Sequence, residues 1–168
     1  MVMLAVNVPL QIGTKLIYVD FKGGLKQGVE RDPDAKPDEV NNSRLLRVLG
    51  LDLSAAISDD EGGGTITIEE DSVDVDPKSY LRLTQSIPRK LEHVDELSFK
   101  VTINMQENGS LSVRELRTKV PLRLTATITQ FPPKGDLYQL QDPVDLILIN
   151  DPDTVVATIQ KFPVKIGG

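Results

Sequence analysis

Apolar and polar residues alternate most cleanly between Leu97 and Val113. Leu97, Phe99, Val101, Ile103 and Met105 interleave with Ser98, Lys100, Thr102, Asn104 and Gln106. A period of two gives a strand with one apolar and one wet face. Asn108-Gly109 then supplies the residues that most readily take positive φ, as a tight hairpin turn requires. Leu111 and Val113 are read as resuming the apolar face on the return strand.

The same alternation marks other strands. Leu4, Val6, Val8, Leu10 and Ile12 form one, and Gly13-Thr14 turns it into Leu16–Val19. Pro9 lacks a ladder N–H, which places the first strand at an edge, an end or a bulge. Thr65–Ile68 and the run around Tyr80, Leu81 and Leu83 are short strands. Val120, Leu122, Leu124, Ala126 and Ile128 make the second clear strand. Val144–Ile149 is apolar enough to be buried on both faces, and Thr154–Ile159 returns from the Asn150-Asp151-Pro152-Asp153 turn. Phe162, Val164 and Ile166 are expected to form a last edge strand. The spacing predicts one short helix over Ser43–Leu49, with Asn42 or Ser43 as N-cap and Gly50 as its stop. Residues 23–42, with three glycines, two prolines and many charges, are expected to be a long polar loop. The chain therefore reads as a single mainly β domain over 1–168. Its expected form is an antiparallel β-sandwich or open barrel of about nine strands with that one helix.

Composition narrows the function classes. The net charge is -6 and aromatics are 4% with no Trp. A phosphate backbone or an anionic bilayer would be repelled, so neither nucleic acid nor membrane is an expected partner. No cysteine is present, which removes disulfides, thiolate nucleophiles and zinc-thiolate sites and fits a reducing, cytoplasmic setting. The apolar start at Met1 has no basic region before it and reads as a strand, not a signal peptide.

Candidate chemistry is sparse. Asp59, Asp60, Glu61, Glu69, Glu70, Asp71, Asp74 and Asp76 crowd together beside Gly62-Gly63-Gly64. Calcium is the cation such oxygen-rich loops would suit, with Asp71, Asp74 and Asp76 as ligands. The alternative is a solvated edge that blocks sheet-to-sheet association. The turn at Asn150-Asp151-Pro152-Asp153 allows the same two readings, with Asp side chains bonding their own backbone in the plainer one. No metal ligand set is assigned, and no cofactor is expected beyond that calcium alternative. His93 is the single histidine, placed in a connector before the hairpin. A Ser-His-Asp relay would have to use it, and no Gly-x-Ser-x-Gly elbow, dinucleotide fingerprint or Walker loop accompanies it. No catalytic residue is assigned. The loop with Arg31, Asp32, Asp34, Lys36, Asp38 and Glu39 reads as a polar insertion or as a loop that orders on a partner.

Residues 87–113 invite one comparison. Ile87-Pro88, then Phe99–Asn104 and Asn108-Gly109-Ser110-Leu111-Ser112-Val113, resemble a hairpin in the peptide-binding β domain of DnaK-type chaperones. The resemblance implies a β-sandwich and a peptide client, and no binding residue is carried over. The leading expectation is a non-enzymatic protein-interaction or peptide-binding domain. The alternatives are a self-assembling structural subunit whose partners are copies of itself, and a hydrolase or metal-dependent enzyme.

Overall fold

The computed structural model describes every residue except 34, 35, 37–41, 72–78 and 108. The described chain is mainly β, with one 3-10 turn at Asp59–Glu61. The strands are β1 (Val2–Ile12), β2 (Lys15–Arg31), β3 (Ser43–Ile57), β4 (Gly64–Glu70), β5 (Ser79–Ser86), β6 (Arg89–Leu97) and β7 (Phe99–Glu107). β8 (Ser110–Thr118), β9 (Leu122–Ile128), β10 (Lys134–Leu140), β11 (Val144–Leu148), β12 (Asp151–Ile159) and β13 (Val164–Gly167) follow.

All thirteen strands belong to one antiparallel sheet. It does not divide into the two stacked sheets of a sandwich. Instead its pairings close twice, because β12 returns to β1 and β5 returns to β3. The first circuit runs β1-β2-β3-β4-β7-β8-β11-β12, and the second runs β1-β2-β3-β5-β6-β9-β10-β13. The long strands β1, β2 and β3 are common to both and act as a spine. β1 pairs with β13 through Val2–Ala5 and with β12 through Leu10–Ile12. β3 pairs with β5 through Ser43–Leu46 and with β4 through Asp52–Ile57. Each end of the spine thus serves a different lobe.

Three expectations are corrected here. The strand count is thirteen rather than about nine, because the spine and its short partners carry little alternation. The short helix is absent: Ser43–Leu49 lies within β3. Leu45, Leu46 and Leu49 fit a helical face, but β3 has neighbours on both sides, and a doubly paired ladder overrides weak local propensity. The loop assigned to 23–42 begins later, since β2 continues to Arg31. Gly23 shows why glycines belong there: a Cβ at that position would lie 1.8 Å from the Asp52 carbonyl oxygen. Close approach of two backbones, not a turn, requires it. The closing strand β13 is likewise not an edge, as it lies between β1 and β10.

The buried side chains form one continuous cluster. In the first lobe it is aliphatic, with Val8, Leu10, Ile17, Ile66, Ile68, Ile103 and Leu116 excluded from solvent. In the second lobe Met3, Leu25, Leu122, Leu124, Val164 and Ile166 are joined by Phe21 and Phe162, whose rings lie 5.8 Å apart. Tyr138 and His93 are also fully buried there. This is the difference on which function turns.

Candidate functional site

Two places in the molecule bring chemistry-bearing side chains together. The first is a notch in the rim of the first lobe. β11 stops at Leu148, opposite Leu116, so β8 runs on past it toward Ser110. The Ile149 N–H donates to the Glu115 carbonyl at 3.3 Å, and the Lys119 N–H donates to the Asp145 carbonyl at 2.9 Å. The odd-numbered residues of β8 therefore point their backbone groups toward β11. Antiparallel geometry carries that direction on to Val113 and Leu111. Beyond the end of β11, no backbone ladder among the described residues meets that edge.

The faces of β8 differ from the expectation. Leu111 and Val113 lie outward, 66% and 57% exposed. Glu107 pairs with Ser110 across the turn, so Met105 opposes Ser112 and Ile103 opposes Arg114. Directly paired residues share a face. Arg114 thus sits on the inward register at the rim, half-buried. It lines a cleft of about 550 Å³ with Lys15, Gln106, Met105, Ile12, Val155 and Val156. Lys15 donates to the Glu61 carbonyl, and the Glu61 carboxylate accepts from the Tyr18 N–H at 3.0 Å. The 3-10 turn thereby closes the far wall of the notch.

The second place is the interior of the second lobe. His93 is not in a connector: it lies on β6, and Asp95 follows two residues later on the same face. Both are fully buried. His93 Nε2 donates to Asp95 Oδ1 at 3.0 Å, and Gln27 Nε2 from the spine donates to the same oxygen at 2.6 Å. His93 Nδ1 shares a hydrogen with the Tyr138 hydroxyl from β10. Phe131 packs edge-on against the imidazole, with ring centroids 5.5 Å apart. Burial, then the negative charges of Asp95 and Asp136, raises the Tyr138 phenol well above its ordinary range. Both imidazole nitrogens are occupied, and the place a serine nucleophile would take is held by Tyr138. A relay to a substrate has no free end here.

The acidic candidates are dispersed. Asp59, Asp60 and Glu61 form the 3-10 turn. Glu69 opposes Lys100 across the ladder, and Asp71 lies 3.6 Å from Arg117. Asp74 and Asp76 fall outside the described residues, as do Asp34, Asp38, Glu39 and Asn108. Among the described residues no group of three acidic or histidine side chains could hold a metal ion. Asp151 accepts from the Asp153 N–H at 3.3 Å and from the Thr154 hydroxyl, so its carboxylate serves its own turn. No helix among the described residues is long and apolar enough to cross a membrane.

No protein-family model and no curated protein matches the chain. The fold does have a solved counterpart. The chain is similar to DynF from the dynemicin biosynthesis pathway of Micromonospora chersina, with a TM-score of 0.69 and 16% identity. The match covers 99% of this chain and 78% of DynF. At that identity the likeness shows the fold alone.

Arg114, Asp95, Gln27 and Tyr138 escape a reading of the sequence. For Arg114 a signal exists: two turn residues at Asn108-Gly109 fix the pairing, and counting back from Met105 puts Ser112 and Arg114 inward. For Tyr138, 45 residues from His93, no local signal exists.

Proposed function

We propose that this chain is a non-enzymatic binding domain that takes an extended acidic peptide segment at the open edge of β8. The observation that carries the reading is that β8 outruns β11, which leaves the outward-turned backbone of Leu111 and Val113 beyond the ladder. Strand addition uses such backbone groups for affinity and neighbouring pockets for choice of side chain. Alternate residues of an added strand would face the cleft, where Met105, Val155 and Val156 suit an apolar group and Arg114 and Lys15 suit a carboxylate. In a chain of net charge -6, two cations beside one edge select for an acidic segment against the repulsion of the whole. The resemblance of residues 87–113 to a peptide-binding β domain agrees with this class of occupant. The occupied nitrogens of His93 favour binding over catalysis.

A second reading rests on the shape of the same cleft. A small apolar anion could fill it without touching the strand edge, since pockets of this size suit compact ligands with a few placed polar groups. One experiment separates the two. Fluorescence anisotropy of a labelled Val-Glu-Val-Glu-Val peptide is measured against the parent, Val113→Pro and Arg114→Gln. Val113→Pro removes an edge N–H but no ladder bond, so folding is retained. Strand addition predicts at least about tenfold weaker binding in both variants, from one lost hydrogen bond to a charged or backbone partner. Unchanged binding in Val113→Pro sinks it, and loss in Arg114→Gln alone supports the small-anion reading. A dimer in light scattering that Val113→Pro dissolves would mean the edge takes a second copy of the chain instead.

A further inference from the structure

The second lobe has an opening of its own, distinct from the notch and independent of the reading above. Its rim is formed where β3, β5 and β6 come together. Leu81, Leu83 and Leu91 line it, with Asn42, Arg44 and Arg89 above them, around a space of about 160 Å³. The ladder explains the arrangement. Arg44 opposes Leu81, and Leu83 opposes Leu91, so Arg44 shares a face with the leucines of the interior. An interior register position at a lobe mouth is where an apolar residue is expected; an arginine there is half-buried over hydrocarbon.

The rim is fixed in place. The Leu83 N–H donates to the Asn42 carbonyl at 2.7 Å, which ties the start of β3 to β5. Arg44 Nη1 donates to the Ser43 carbonyl at 2.8 Å, which orients the guanidinium. A guanidinium has five N–H donors in a planar fork, so a contact with its own chain and a bidentate contact with a carboxylate are compatible. Arg89, exposed at the start of β6, adds a second positive charge on the other side of the opening.

We infer that the mouth of the second lobe is a binding site for a small aromatic carboxylate, held by Arg44 and Arg89 with its ring against Leu81, Leu83 and Leu91. Size supports the ring, because an apolar cavity of about 150 Å³ accommodates benzene. Chemistry supports the carboxylate, because planar bidentate donors at an apolar wall match a planar acid better than a point anion. One layer further in, Leu81 opposes His93 across the β5–β6 ladder. The polar chain of His93, Asp95 and Tyr138 thus lies beneath this floor and holds its shape.

The probes are benzoate and its neutral counterpart benzyl alcohol, followed by amide NMR shifts on the full chain. An Arg114→Gln background removes any contribution of the first-lobe notch. The expected result is saturable benzoate binding with shifts centred on Leu81, Leu83 and Leu91. Binding of benzyl alcohol should be at least about tenfold weaker, and Arg44→Met should lose a similar factor, from the loss of one charge-assisted bond. Arg89→Met, at an exposed position that leaves the fold intact, should weaken benzoate by a smaller factor. It keeps the test decisive where Arg44→Met disturbs folding. Equal binding of acid and alcohol, shifts centred elsewhere, failure to saturate at millimolar benzoate, or full affinity in Arg89→Met together with a folded Arg44→Met would each overturn the assignment.

Discussion

The two lobes share a spine and use the same number of strands, yet they stabilise their interiors differently. The first is filled by Val, Leu and Ile side chains, and its polar residues stand at the rim. The second buries a directional chain from Gln27 through Asp95 and His93 to Tyr138. Aliphatic contacts are non-directional and tolerate small shifts, whereas a buried polar chain is stable only when its members stay paired. The first lobe can therefore afford an open edge near its interior. The second needs a fixed geometry around β6, β10 and the spine. Asp95 Oδ2 and Gln27 Oε1 have no hydrogen-bond partner among the described residues, which makes the remaining bonds of that chain the more costly to lose.

The sharpest break of this comparison is at the spine. Gly23→Ala would drive a Cβ into the Asp52 carbonyl, and Gly64→Ala would bring one to 1.9 Å from the Asn104 carbonyl. Both should cost on the order of 4 kcal/mol, as steric strain against backbone does. Gly23 belongs to strands of both circuits, while Gly64 joins β4 to β7 in the first alone. Urea unfolding should show Gly23→Ala weakening every probe equally. Hydrogen exchange in Gly64→Ala should open the first lobe more than the second. If Gly64→Ala opens both to the same extent, the lobes form one cooperative unit and their contrast is only chemical.

A smaller effect is expected inside the second lobe. Asp95→Leu removes the acceptor for both His93 and Gln27, leaving two buried donors unmatched. That should cost about 3 kcal/mol, in the range found when one partner of a buried polar pair is deleted. Urea denaturation measures it. A loss below about 1 kcal/mol would mean that ordinary packing, not the polar chain, holds this lobe.

Legibility of the sequence follows the same division. β7, β9 and β11 stand out because each has one face against the interior, so burial writes itself as alternation. β2 and β3 do not. Their middle portions carry Lys26, Glu30, Arg44 and Arg47 on outward positions, and glycine where backbones touch, so a doubly paired spine looks like a loop and a helix. The open edge was hidden by a counting step: Leu111 and Val113 look like core until the two-residue turn is used to set partners. His93 and Asp95 are visible as neighbours on one strand face. The Tyr138 and Gln27 that complete the chain come from strands joined only through tertiary pairing, and nothing in their local sequence distinguishes them.

The mildest test concerns alkaline pH and separates the lobes by titration. Tyr138 is raised by burial first, and then by the charges of Asp95 and Asp136. Tyr80, on β5, is raised in the same direction by burial and by Glu92. A phenol is neutral when protonated, and its unfolded value is about 10. A folded value above that means the native state keeps a proton the unfolded state has released. Stability from this source is intact below pH about 10 and falls as pH rises beyond it, by up to about 1.4 kcal/mol per unit for each such tyrosine. Tyr138→Phe removes one phenol and its bond to His93. It should lower stability at neutral pH by about 1 kcal/mol, as the loss of one hydrogen bond does, and it should flatten the alkaline decline. Tyr80 keeps part of the slope, so the decline should shrink without vanishing. Melting temperatures of parent and variant between neutral pH and pH about 11 provide the check. Parallel curves would show that the Tyr138 phenol titrates alike in both states, and that the interior of the second lobe is no more closed to charge than its surface.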